Sequence, residues 1–243
     1  REFADIFAAD GHDLVLVARS AGKLEEVAAA IRSAHNVAVT VVPLDLENPT
    51  APGELVERLG EAGITVRHLV NNAGFGLAGS FDAHGLEQQL GVVDLNVRAL
   101  TELTYRFLPG IRATRGGIIN LASIAAYLPG PYMATYYASK AYVLSFSEAL
   151  SLELAGTGVT VTALCPGPTA TGFGARAGMR SALTASLPSP SAREVARAGY
   201  AAYRHGKRVC IPGIAAGFFG RMSGLAPHGL TGRVARAINS RRA

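Results

Sequence analysis

Short runs of branched apolar residues alternate along the chain with stretches of helical periodicity. DLVLVA (13–18), VAVTVVPLD (37–45), RHLVNNAG (67–74), GGIINLAS (116–123), GVTVTALCPG (158–167) and KRVCIPG (207–213) read as strands. Their hydrophobicity is continuous rather than alternating, which is the pattern of strands buried on both faces. Between them, residues 23–34, 53–63, 85–111, 134–155 and 191–206 space their apolar side chains three and four apart, and the last of these opens on an N-cap Ser. In the opening REFADIFAADG, Phe3, Ile6 and Phe7 have helical spacing and Gly11 reads as a stop. This stretch reads as the back half of a helix that runs into the first strand. Such alternation predicts an α/β fold whose parallel sheet is covered on both faces. Residues 168–190 lack periodicity and predict a lid over a site.

Composition narrows the function classes. With 243 residues and 49% hydrophobic content, the chain supports one core and one domain. No apolar run approaches the roughly 20 residues of a membrane span. Cys165 and Cys210 sit in strand-like apolar runs, as buried thiols of a reducing cytoplasm would. The net charge is +5, but Arg residues are scattered and cluster only in GRVARAINSRRA near the end. That pattern reads as a solvated helix face with no nucleic-acid partner, and the excess charge suits a phosphate-bearing ligand. The six His residues (12, 35, 68, 84, 205 and 228) lack ligand-like spacing, so no metal site is expected. A G-x-S-x-G hydrolase elbow is also missing.

Candidate chemistry lies at the strand ends, where ligands of open α/β sheets bind. Arg19, Asp45, Asn71, Asn72, Ser123, Pro166 and Gly167 all fall there. GFGLAG (74–79) spells a dinucleotide fingerprint, but SFDAHG intervenes before the next helix, so it reads as chance spelling inside a ligand-lining turn. YYASK is the stronger signal. Tyr136 and Lys140 are four apart on a predicted helix and share a face. A neighbouring ammonium lowers a phenol's pKa, which makes the pair an acid/base device. Tyr137, three residues before Lys140, is a rival. Ser123 ends a strand before the helix that carries Tyr136, and its hydroxyl would sit beside the phenol.

NNAG (71–74), Asn96 in DLNVRA, Ser123, Tyr136-x-x-x-Lys140 and PGPTAT (166–171) occur in this order. Together they resemble the short-chain dehydrogenase/reductase superfamily, in its compact single-domain type. The resemblance implies a doubly wound, Rossmann-like parallel sheet in three α/β/α layers. It implies that Tyr136 exchanges the proton at the substrate oxygen and that Ser123 holds that oxygen. Lys140 would lower the Tyr136 pKa and bond the nicotinamide ribose, and Asn96 would anchor a relay water at a helix kink. Asp45 and Leu46 would contact adenine, and Asn72, Ala73 and Gly74 would line the adenine-side ribose. Thr169 and Thr171 would hold the nicotinamide carboxamide, and Pro166 and Gly167 of the same turn would also bind the cofactor.

The expected reaction interconverts a carbonyl and an alcohol by hydride transfer. NAD binders usually carry an acid at the turn where Ala18 and Arg19 stand. Arg19 and Ser20, helped by Lys23, suit a 2′-phosphate instead, so NADP is expected over NAD. Tyr127, Leu128, Tyr132 and Met133, with the lid, would make the substrate pocket apolar. The family's opening strand and glycine-rich turn have no counterpart in these residues and are expected before Arg1. A homodimer or homotetramer through helices 85–111 and 134–155 is expected. Phe218, Phe219 and Leu225 beside basic residues would suit a membrane surface, a subunit interface or a cover over the cleft. A non-catalytic dinucleotide-binding redox sensor on the same fold is the alternative.

Overall fold

The computed structural model describes residues 1–169, 173–178, 190–213 and 228–240. Thr171, Phe218, Phe219, Leu225 and most of the expected lid lie outside these residues. Helix α1 (Glu2–Ala9) leads into strand β1 (Leu14–Ala18), with Gly11 at φ +81°, the left-handed turn that ends the helix. Then follow α2 (Ala21–Ala34), β2 (Val39–Pro43), α3 (Ala51–Glu61), β3 (His68–Asn71), α4 (Leu86–Val93) and α5 (Leu100–Ala113). The chain continues through β4 (Gly117–Leu121), α6 (Ala134–Glu153), β5 (Thr160–Leu164), α7 (Phe173–Arg176), α8 (Ala192–Arg204), β6 (Val209–Cys210) and α9 (His228–Asn239).

All strand pairings are parallel. β1 pairs with β2, and β3-β4-β5-β6 form a second ribbon. Among the described residues no ladder joins β1 to β3. A cavity of about 1820 Å³ separates them and reaches the carboxyl ends of the strands. Helices α1, α2 and α8 cover one face, and α3, α5 and α6 cover the other. Period-2 side-chain direction makes each strand serve both layers. Ile118 packs with Leu103 and Phe107 of α5, whereas Ile119 packs with Phe7 of α1 and Val195 of α8. This is the three-layer α/β/α arrangement, and its continuous apolar strands follow from it.

A buried polar ladder crosses the sheet. Asn71 donates to Thr104 (3.1 Å) and to Asn120 (2.9 Å), and Asn120 donates to Ser147 (2.9 Å). All four are buried, so each bond replaces water that the core excludes.

The structure differs from the sequence pattern in four places. The helix expected over 85–111 is interrupted by a π-helical segment, Asp94–Ala99. A π turn carries an extra residue without changing the apolar stripe on either side. The last strand shrinks from 207–213 to Val209–Cys210. The second helix starts at Ala21 because Ser20 caps it, accepting from the Lys23 amide at 3.4 Å. Finally, the tail segment that reads as a solvated helix face forms α9 but buries Ala235 and Asn239.

Candidate active site

Strand β4 and helix α6 build the centre of the site. Just past β4, Ser123 caps a 3₁₀ turn (Ile124–Tyr127) and accepts from the Ala125 amide at 3.1 Å. Tyr136 and Lys140 lie in the first two turns of α6 on one face. Ser123 and Tyr136 border the same cavity, and the Ser123 hydroxyl acts to lower the Tyr136 pKa. Lys140 Nζ lies 5.9 Å from the centroid of the Tyr136 ring and donates to the Leu121 carbonyl at 2.6 Å. From the lid segment, the Phe173 ring stands 5.1 Å from that of Tyr136.

Burial governs the electrostatics. The Tyr136 side chain keeps some surface toward the cavity, yet its phenol is enclosed by protein. Desolvation pushes its pKa up to about 12, against the hydrogen bond from Ser123. Lys140 is 5% exposed, and desolvation lowers its ammonium to about 8. Burial, rather than the expected pull of Lys140, thus sets the Tyr136 pKa, and the phenol is neutral at neutral pH.

Asn96 projects from the π segment and is 1% exposed. Its Oδ1 accepts from the Phe75 amide at 3.1 Å. Its Nδ2 donates to the Phe75 carbonyl (2.9 Å) and to Ser139 Oγ (3.0 Å). Ser139 in turn donates to the Tyr136 carbonyl at 2.7 Å. The glycines of GFGLAG are needed here, although not as a phosphate cradle. A Cβ on Gly74 would come 2.9 Å from Asn96 Oδ1, and one on Gly76 would come 2.8 Å from the Tyr136 ring. The third, Gly79, has φ +135°; its amide donates to the Tyr132 carbonyl at 3.0 Å. Sequence reasoning missed Ser139 and Gly76, and the glycine spacing was the available signal.

Tyr137 is removed as a rival, because its hydroxyl donates to Asn239 of α9 at 3.3 Å. Of the residues expected to line the substrate pocket, Met133 borders the cavity, together with Leu77, Ile124 and Phe173. Tyr127 and Leu128 line a separate apolar groove of about 560 Å³ instead.

At the other end of the cavity, Arg19 stands beside Asp45 and Glu47. Its Nη1 lies 3.1 Å from Glu47 Oε1 and 3.9 Å from Asp45 Oδ2. Leu46, Asn72, Ala73, Gly74, Pro166, Gly167 and Thr169 also border the cavity. Thr169 Oγ1 donates to the Gly167 carbonyl at 3.0 Å. Next to Arg19, the Ser20 hydroxyl accepts from the Lys23 amide at 3.4 Å and starts α2. Among the described residues, no three His, Cys, Asp or Glu side chains converge as metal ligands, and no helix is long and apolar enough to cross a membrane.

An elongated crevice at the carboxyl edge of a parallel sheet, with Ser, Tyr and Lys at one end, defines a nucleotide-dependent oxidoreductase of the α/β class. The short chain dehydrogenase family model matches residues 1–180. The chain belongs to that family of NAD(P)-dependent enzymes acting on CH–OH groups. It is 36% identical over 176 residues to sulfoacetaldehyde reductase 2 of Chromohalobacter salexigens, covering 71% of this chain and 69% of that one. A short-chain dehydrogenase from Sphingobium yanoikuyae in complex with NADPH superposes with a TM-score of 0.80 and 34% identity, over 92% of this chain and 89% of that one. A family member from Burkholderia phymatum in complex with NAD gives 0.79 and 26%, over 91% and 87%. The residues present fit a nicotinamide dinucleotide. The cavity runs from a guanidinium at Arg19 to an ammonium at Lys140, and Gly74 leaves space beside Lys140 that a side chain would fill.

Proposed function

We propose that the protein is an NADP-dependent oxidoreductase that interconverts an apolar ketone or aldehyde and its alcohol. The observation that carries this reading is the buried Lys140 with its Nζ 5.9 Å from the Tyr136 ring, on a cavity that Ser123 also borders. Bound NADP supplies or takes the hydride. Neutral Tyr136 donates its proton to the carbonyl oxygen, which Ser123 steadies with its hydroxyl. The Lys140 ammonium favours the phenolate that results and holds the nicotinamide ribose. Asn96 keeps its helix against this group, where a relay water would be anchored.

Arg19 at the end of β1, with Ala18 in place of an acid, supports NADP. Asp45 and Leu46 would meet adenine, and Asn72, Ala73 and Gly74 the adjoining ribose. Thr169 would meet the carboxamide, joined by Thr171 on the strength of the sequence alone. Leu77, Ile124, Met133 and Phe173 give the substrate end its apolar character. Exposed Leu86, Leu90 and Val93 form a stripe on α4 that suits a second copy of the chain. Unpaired Cys165 and Cys210 suit a reducing compartment such as the cytoplasm.

The test is oxidation of NADPH and NADH over a panel of apolar ketones and aldehydes, in wild type and Arg19→Ala. The expected result is turnover with NADPH preferred, and loss of the preference in the variant. An unchanged preference would remove Arg19 from the cofactor assignment. Dinucleotide binding without turnover across the panel would favour the redox sensor.

A further inference from the structure

We propose that Glu47 sets the discrimination between the two dinucleotides by competing with a 2′-phosphate for Arg19. This rests on the reading of Arg19 as the 2′-phosphate ligand. A guanidinium engages carboxylate and phosphate through the same planar fork, so a carboxylate already on Arg19 is a built-in competitor. Glu47 Oε1 holds that position at 3.1 Å from Arg19 Nη1, and Asp45 Oδ2 stands behind it at 3.9 Å. Two carboxylates around one guanidinium leave the corner with a net negative charge, which an incoming phosphate must join.

Glu47 is the fixed partner of the pair. Its amide donates to Asp45 Oδ1 at 3.1 Å, and its carbonyl accepts from Arg98 Nη2 at 3.4 Å. Arg98 is itself held by Asp94 and by the Pro49 carbonyl, each at 2.9 Å. The second carboxylate oxygen of Glu47 lies over Gly91, where an added Cβ would come within 3.4 Å. The Arg19 side chain is 60% exposed and that of Glu47 30%. Arg19 is therefore the side that moves, and a phosphate must draw it off a carboxylate that stays in place. Burial and the neighbouring Asp45 push the Glu47 carboxyl above its usual range, with Arg19 opposing. The corner thus already disfavours its own negative charge.

The experiment is calorimetric binding of adenosine 2′,5′-bisphosphate and of AMP to the full chain as wild type, Glu47→Gln, Arg19→Ala and the double variant. Circular dichroism melting confirms that each is folded, and Glu47→Ala serves as a second removal of the charge. The quantity read is the ratio of bisphosphate to AMP affinity. The expected result is a rise of about 3- to 10-fold in Glu47→Gln, the scale of a partly exposed ion pair plus one repulsive charge, shrinking in high salt. In the Arg19→Ala background the same substitution should change the ratio less than about twofold. A ratio unchanged or lowered in both Glu47 variants, while Arg19→Ala lowers it, overturns the competition and leaves the 2′-phosphate reading standing. A ratio unaffected by Arg19→Ala overturns both.

Discussion

Asn96 and Ser139, on separate helices, share a 3.0 Å hydrogen bond, and Ser139 donates its own hydroxyl to the Tyr136 carbonyl. The π segment and the α6 helix are thereby joined at the residue before Lys140. Ser139→Ala leaves one N–H of the buried Asn96 amide without its partner. The expected cost is about 1–3 kcal/mol of stability, read by urea unfolding. Turnover should fall by about tenfold as the Tyr136 backbone loses its tie.

Gly74 and Gly76 are predicted to be intolerant of a methyl group. Gly76→Ala drives a Cβ against the Tyr136 ring and Gly74→Ala drives one against Asn96. Each should lower turnover by at least about tenfold, because small displacements of reacting groups are costly. Gly60→Ala is the control. It lies in α3 with nothing within 4 Å of an added Cβ, and should stabilise by roughly 0.5–1 kcal/mol.

These two cases mark what the sequence could reveal. Tyr136, Lys140 and Ser123 were legible because their relation is local: four residues on one helix face, and a hydroxyl at a strand end. Asn96 was legible through the family motif, but its fixation was not. A π turn has no hydrophobic signature, and its partners Phe75 and Ser139 are distant in sequence. GFGLAG does not open directly into a helix, since a turn and a 3₁₀ segment precede α4. The need for Gly74 and Gly76 comes from side chains that only the fold brings near. The sequence did not show that the Ser20 hydroxyl also starts α2. Tyr127 and Leu128 fell out of the site because a 3₁₀ turn after Ser123 carries them away from the cavity.

The pH dependence of stability should carry the mark of Lys140. Its folded pKa of about 8 lies below its ordinary 10.5, so the fold bears the full cost of the buried charge below pH 8. Between 8 and 10.5 the unfolded chain holds the proton that the folded one has released, and stability rises with pH, by up to about 3 kcal/mol. Urea midpoints of wild type should climb relative to Lys140→Met between pH 8 and 10. Tyr136 acts in the opposite sense, its contribution being complete below 10 and lost as pH rises through 12.

Asn120 is fully buried and holds both Asn71 and Ser147. Asn120→Ala removes the partner of each and opens a small void. The expected loss is about 3 kcal/mol, read as a lower denaturant midpoint with an unchanged slope.

The central claim is that the Tyr136 phenol supplies the proton at the substrate oxygen. It is tested most directly by single-turnover hydride transfer from NADPH to a ketone that the wild type reduces, compared with Tyr136→Phe. Transfer in the variant should slow by at least about a hundredfold, the scale of a lost general acid, while NADPH still binds. Transfer at the wild-type rate would contradict the account.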